Sequence, residues 1–94
     1  MEQVAEKTVM LTRRAVDMAS VMDTSVKDAM SAVGQALRGE TEAMRRYAVD
    51  VTEASMETFA LSQNIEKSVK EMTQQEKKLL RMSMIMEGTK DMAG

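Results

Sequence analysis

The chain has 94 residues, a formal net charge of −2, and no cysteine, histidine, proline or tryptophan. Without thiol or imidazole groups it offers no cysteine nucleophile, no histidine base and no soft metal site. Its mild acidity and its two aromatic residues, Tyr47 and Phe59, argue against nucleic-acid binding, which uses basic faces and stacking platforms.

The length provides for one modest core, so we expect a single domain over residues 1–94. No segment approaches the run of about 20 apolar residues that a membrane span needs. The N-terminus lacks the basic and apolar regions of a secretory signal. These features favour a cytoplasmic protein with no membrane span of its own.

The first predicted helix runs from about Glu2 to about Leu37, because apolar residues recur there in steps of three and four. At about 1.5 Å per residue, such a helix would be on the order of 50 Å long and would need an antiparallel partner. The positions of the predicted buried stripe are Val4, Thr8, Leu11, Ala15, Met18, Met22, Val26, Ala29, Val33 and Leu37.

Gly39 predicts the end of this helix, because glycine commonly follows the last helical residue. A second helix is predicted from Glu40–Glu42 to Met72, and its stripe passes through Ile65 and Val69 without a gap. An alternative break lies at Ser62-Gln63-Asn64, which would shorten this helix and leave a linker.

The third predicted helix runs from about Gln74 to about Met92, because Thr73 and Glu76 have the spacing of a capping box. The predicted fold is therefore an all-α, up–down–up three-helix bundle. Its core should be soft, since the twelve methionines take the place of leucine. Met82, Met84 and Met86 are read as part of that core, because residues two apart on a helix diverge and cannot share a copper ion.

Glu87 and Asp91 are the candidate metal ligands. On one helix, residues four apart lie on the same face, where two carboxylates can bind a hard cation together. Lys90 offers the alternative, a salt bridge to Glu87 on the same helix. Two carboxylates alone make a poor metal cage for catalysis, so we do not expect an enzyme.

The chain resembles the PhoU domain of phosphate-uptake regulators and of bacterial sodium–phosphate cotransporter tails. The likeness is carried by the junction 36–43 (Ala-Leu-Arg-Gly-Glu-Thr-Glu-Ala), by Leu61-Ser62-Gln63 and by the ending 79–93. The resemblance implies a PhoU-like bundle, half of a full-length regulator, that needs a second copy or another repeat beside it. It also implies a regulatory or accessory role in phosphate transport, at the inner face of the membrane. The protein partner would be a transporter or sensor component, and the implied cofactor is a divalent or ferric cation at Glu87 and Asp91.

Two other functions fit parts of the sequence. Residues 61–66 are similar to a coiled-coil signalling module of the chemoreceptor type, which would be a dimeric helical hairpin without a break at Thr73. The amphipathic segment 47–56 is similar to phasins, which bind the surfaces of apolar granules.

Overall fold

The computed structural model describes residues 2–93, with side chains from residue 5 onward, and these residues form α-helices and turns without strands. The five helices are α1 (Glu2–Met22), α2 (Val26–Leu37), α3 (Glu42–Arg45), α4 (Glu53–Ser62) and α5 (Gln74–Gly88). Two 3₁₀ turns cover Val69–Glu71 and Lys90–Met92. The all-α prediction is confirmed at this level. The Val4 side chain, the first position of the predicted stripe, lies outside the described set.

The predicted long first helix is wrong, because the chain breaks at residues 23–25. Asp23 adopts a left-handed backbone with φ 54°, and Ser25 then caps α2 by accepting a hydrogen bond from the Asp28 amide at 3.0 Å. Since the turn is short, α2 folds back along α1 as an antiparallel hairpin. The longest dimension of the molecule is 37 Å, less than the predicted rod would require.

The predicted second helix is also wrong. Its region holds two short helices, α3 and α4, separated by a turn at residues 46–52. The helix ends at Ser62 and a linker follows, which is the alternative break that the sequence offered. Tyr47, Val49 and Val51 are buried, but they enter the core from the turn and not from a helix.

The start of α5 is as predicted. The Glu76 amide donates to the Thr73 hydroxyl at 3.1 Å, and the Thr73 amide donates to the Glu76 carboxylate at 3.0 Å. Lys7 Nζ donates to the Ser83 hydroxyl at 3.2 Å, while Arg14, further along α1, reaches Thr89. Helix α5 therefore runs parallel to α1.

Two kinds of residue form the core. On α1 and α2 the buried residues are mainly alanines: Ala15, Ala19, Ala29, Ala32 and Ala36. Larger side chains fill the space toward α4 and α5, and the fully buried ones are Tyr47, Met18, Met44, Met56, Met82, Ile85, Val51, Val69 and Thr89. The prediction that Met82 and Met84 belong to the core is confirmed, with exposed fractions of 1 and 6%, whereas Met86 is only partly buried and packs against the core.

Candidate functional site

Arg14 fixes the C-terminal end of α5. Its guanidinium Nη1 donates to the Met86 carbonyl and to the Thr89 hydroxyl, both at 2.9 Å. Thr89 is fully buried, and its hydroxyl donates to the Ile85 carbonyl at 2.6 Å. A cation at this end of a helix also meets the negative end of the helix dipole. Arg14 thus holds in place the segment that carries Glu87 and Asp91.

Glu87 and Asp91 lie on different structural elements. Glu87 belongs to the last turn of α5, which ends at Gly88, and Asp91 lies in the following 3₁₀ turn. The spacing argument for a shared helical face therefore does not apply to this pair. Among residues 2–93, no three acidic, histidine or cysteine residues form a group that could hold a metal ion. The cation site stays a prediction.

The salt-bridge alternative at Glu87 is present. Lys90 Nζ lies 2.7 Å from the Glu87 carboxylate, with both side chains largely exposed. The hydrogen bond and charge of Glu87 raise the pKa of Lys90, and Asp91 adds a smaller effect of the same sign. The nearest cation to Glu87 is thus supplied by the chain itself.

A cleft of about 490 Å³ opens beside Glu87, between the turn at residues 48–50, α4 and α5. We call it the α4–α5 cleft. Its residues come from segments far apart in sequence, so periodicity gave no signal for it. The lining residues are Ala48, Val49, Asp50, Ala54, Ser55, Thr58, Phe59, Ser62, Met84, Glu87 and Gly88.

A second candidate site is the outer face of α1, which we define as Ala5, Val9, Thr12 and Val16. Val9 and Val16 are 52 and 49% exposed, although they are large apolar residues. The Thr12 hydroxyl donates to the Thr8 carbonyl at 2.9 Å, so the polar group of Thr12 is satisfied within the helix. This face follows the spacing 5, 9, 12, 16 and was detectable as a second stripe in the sequence. The prediction missed it because it followed only the stripe of Leu11 and Met18.

The outer face of α1 adjoins an apolar groove between α1 and α2. Thr12 belongs to both, and the groove, of about 180 Å³, also includes Met30 and Gly34 of α2. Met30 is 45% exposed. The outer face of α1 and the groove therefore meet at Thr12, on one side of the α1–α2 hairpin.

Of the helices in residues 2–93, none has both the length and the apolar character required to cross a bilayer. Comparison with protein-family models, with curated proteins and with solved structures finds no significant match to this chain.

Proposed function

We propose that this chain is a non-catalytic helical interaction module that self-associates through the outer face of α1. The observation that carries the proposal is the apolar character of α1 on two sides. Leu11, Ala15 and Met18 are buried against the rest of the fold, whereas Val9 and Val16 face solvent. A helix that has more apolar surface than its own fold covers is suited to pack against another helix.

The spacing of this face suits a two-helix seam. Ala5, Val9, Thr12 and Val16 occupy the d, a, d and a positions of a heptad repeat, which meet across a coiled coil. Glu6 and Arg13, both exposed, then occupy the flanking e positions. In an antiparallel pair, Glu6 of each copy faces Arg13 of the other. In a parallel pair Arg13 would instead face Thr8 of the other copy, which carries no charge, so charge complementarity favours the antiparallel arrangement.

The energetic scale predicts a weak dimer. Burying a fully exposed valine contributes about 1.5–3 kcal/mol, and Val9 and Val16 start about half exposed. Association itself costs at least about 4 kcal/mol in lost rigid-body freedom. The four valines of a dimer therefore contribute about 3–6 kcal/mol, which roughly balances that cost. The contact needs Met30 in the adjoining groove to become measurable.

Sedimentation over a wide concentration range tests the proposal. The average mass of the wild-type protein should rise toward that of two copies, and Val16→Glu should remain monomeric because it places a charge in the seam. The matched control is Val21→Glu. Val21 is 57% exposed but is rotated about 140° from Val16 around α1, so its substitution should leave the dimer intact.

Charge reversal tests the antiparallel arrangement separately. Arg13→Glu should weaken association by placing two carboxylates together, and the double variant Glu6→Arg, Arg13→Glu should restore it. A wild-type protein that stays monomeric at every concentration would contradict the proposal. Equal dissociation by Val16→Glu and Val21→Glu would contradict the assigned face.

From the PhoU resemblance, this proposal retains the mode of action, docking through a helical face. A link to phosphate transport is supported by the sequence likeness of segments 36–43 and 79–93. The three long helices that the likeness implies correspond here to five shorter ones.

A further inference from the structure

We infer that the α4–α5 cleft binds a basic side chain, lysine or arginine, presented by a partner protein. This site lies on other elements than the outer face of α1, so the inference goes beyond self-association. It follows from three properties of the cleft: an apolar floor, side-chain hydroxyls that retain only acceptor capacity, and two acidic residues in its lining.

The floor consists of Val49, Met84 and Phe59. Val49 and Met84 are 4 and 6% exposed and belong to the core, so the floor is preformed. Gly88 lets the turn at Val49 approach α5, because a Cβ at Gly88 would lie only 3.3 Å from a Val49 methyl carbon. The volume of about 490 Å³ falls within the range of about 300–1,000 Å³ that is usual for ligand sites.

Two hydroxyl groups of the lining, those of Thr58 and Ser62, already donate their protons within α4. The Thr58 hydroxyl donates to the Ala54 carbonyl at 3.2 Å, and the Ser62 hydroxyl donates to the Phe59 carbonyl at 2.7 Å. The Ser55 hydroxyl accepts a hydrogen bond from the Thr52 hydroxyl at 3.3 Å and lies near the Asp50 carboxylate, whose pKa it helps to lower. What the Thr58 and Ser62 side chains offer a ligand is acceptor oxygen.

The acidic residues give the cleft its charge. The Asp50 carboxylate is charged at neutral pH, and it accepts a hydrogen bond from the Thr52 amide at 2.9 Å, which is the main cause of its lowered pKa. Glu87 is paired with Lys90, but exposed ion pairs of this kind contribute little stability. An incoming cation can therefore take the place of Lys90.

These properties together indicate which kind of group the α4–α5 cleft can bind. An anion would be repelled, and a neutral apolar group would cover the acceptors without satisfying them. A lysine or arginine side chain packs its aliphatic stem on apolar surface and keeps its charged head at the polar edge. A protein partner fits better than a free amine because Asp50, Ala54, Ser62 and Glu87 are all exposed, so a small molecule would remain largely in water.

Methyl NMR of methionine-labelled protein tests this inference. The Val16→Glu background is used, so that failure of the self-association proposal does not affect the result. The probe is a short amphipathic peptide with one lysine among leucines, and the control peptide has norleucine in place of lysine. The lysine peptide should shift the Met84 methyl saturably, while the Met30 methyl, in the α1–α2 groove, should not move.

Three variants then test the charges. Glu87→Gln should weaken peptide binding about fivefold, the effect of losing one charge about 4 Å from the ammonium in water. Asp50→Asn, which keeps an acceptor for the Thr52 amide, should weaken it similarly. Lys90→Ala should strengthen binding, because it removes the internal competitor. Glu66→Gln, outside the cleft, is the control and should have no effect.

Several results would overturn the inference. Equal binding of the lysine and norleucine peptides would show that charge plays no part, and a Met84 methyl that moves with neither would exclude the cleft. A Met84 shift on raising the protein concentration alone would assign the cleft to a second copy. Butylamine binding as tightly as the peptide would assign it to small amines.

Discussion

Arg14 is the residue through which α1 holds the end of α5, since one guanidinium nitrogen serves both Met86 and Thr89. We expect Arg14→Ala to lower the free energy of unfolding by about 1–3 kcal/mol, because it leaves a carbonyl and a buried hydroxyl without their donor. Urea denaturation measures this. Arg46→Ala, at an exposed arginine whose side chain makes no hydrogen bond to another described residue, should change stability by less than about 0.5 kcal/mol. Equal effects of the two substitutions would contradict the role of Arg14.

Glu76 makes the start of α5 sensitive to acid. The Thr73 amide is the main cause that lowers its pKa from 4.5 to about 2, and Lys67 adds to the shift. Because the folded pKa is below the unfolded one, this stabilisation is present above about pH 4.5 and is lost as the pH falls toward 2.

The direction of this pH dependence can be measured with Glu76→Gln, which keeps the capping geometry but cannot titrate. Its melting temperature should fall less than that of the wild type between pH 4.5 and pH 2. Glu66→Gln, whose carboxylate makes no ion pair or hydrogen bond among the described residues, is the control. Parallel curves for the wild type and Glu76→Gln would contradict the prediction.

The predicted cation site can be tested by substituting Asp91. If Glu87 and Asp91 bind magnesium, manganese or iron, the metal should raise the melting temperature of the wild type, and Asp91→Ala should abolish that rise. Lys90→Ala should enlarge it, because Lys90 competes for Glu87 at 2.7 Å. Wild-type protein whose melting temperature does not respond to these ions would remove the metal role.

At the scale of elements, α1 to α4 end in the same way. Each is followed by a residue with a left-handed backbone, at Asp23, Gly39, Ala48 and Asn64, with φ of 54, 96, 61 and 60°. After α4, for example, the Ile65 amide bonds to the Ala60 carbonyl and the Asn64 amide to the Leu61 carbonyl, which is a Schellman motif. Gly39 was predictable as a stop because glycine is the usual residue in this motif. Asp23 and Ala48 gave no comparable signal.

Helix starts were more predictable than helix ends. Thr73 and Glu76 identified the start of α5 through the capping box. Ser25 and Asp28 have the same spacing as Thr73 and Glu76. However, the apolar residues Met22 and Val26 are four residues apart, as in a continuous helix, so the sequence did not indicate a break between them. Pattern alone cannot separate a continuous helix from two helices that bury apolar residues against the same core.

The candidate site was predictable only in part. The proximity of Glu87 and Lys90 was expected from their spacing on one helix, and the structure shows the pair at 2.7 Å, although Lys90 lies in the 3₁₀ turn after α5. Asp50 and Phe59 could not be connected with Glu87, because the turn at 46–52 that brings them to α5 was itself unexpected. A site assembled from distant segments depends on tertiary packing. The spacing of apolar residues does not predict which distant segments pack together.

Ala48 carries a measurable cost at the end of α3. A non-glycine residue in the left-handed region is disfavoured by about 1–2 kcal/mol relative to glycine. We therefore expect Ala48→Gly to stabilise the protein by about 1 kcal/mol, despite the greater freedom of glycine in the unfolded chain. Ala54→Gly, the same substitution in the first turn of α4, should instead destabilise it, by at most about 1 kcal/mol. Urea denaturation that gives both changes the same sign would contradict this account.

At the scale of the whole molecule, methionines divide between core and surface. Met18, Met44, Met56 and Met82 are at most 1% exposed. By contrast, Met10, Met22 and Met30 are 49, 38 and 45% exposed. Methionine fills irregular space well but fixes side-chain positions poorly. The core is therefore apolar and shielded from solvent, but its side chains are not rigidly packed. How well the buried methionines are protected from solvent depends on the cooperativity of unfolding.

This division predicts the order of oxidation by hydrogen peroxide. The three exposed methionines should be oxidised first, at rates close to that of an unfolded peptide. The four buried ones should react slowly and together, because peroxide reaches them only when the protein unfolds, and each sulfoxide then places a polar group in the core. Digestion and mass spectrometry at successive times measure the rate at each methionine.

The stabilising substitution Ala48→Gly provides the control, because it should slow oxidation of the buried methionines and leave Met10, Met22 and Met30 unchanged. If opening is fast and reversible, about 1 kcal/mol of added stability should slow the buried sites about fivefold. Similar rates at all seven methionines would mean that the core opens locally without global unfolding. The cleft floor at Met84, which is 6% exposed, would then be too mobile to count as preformed.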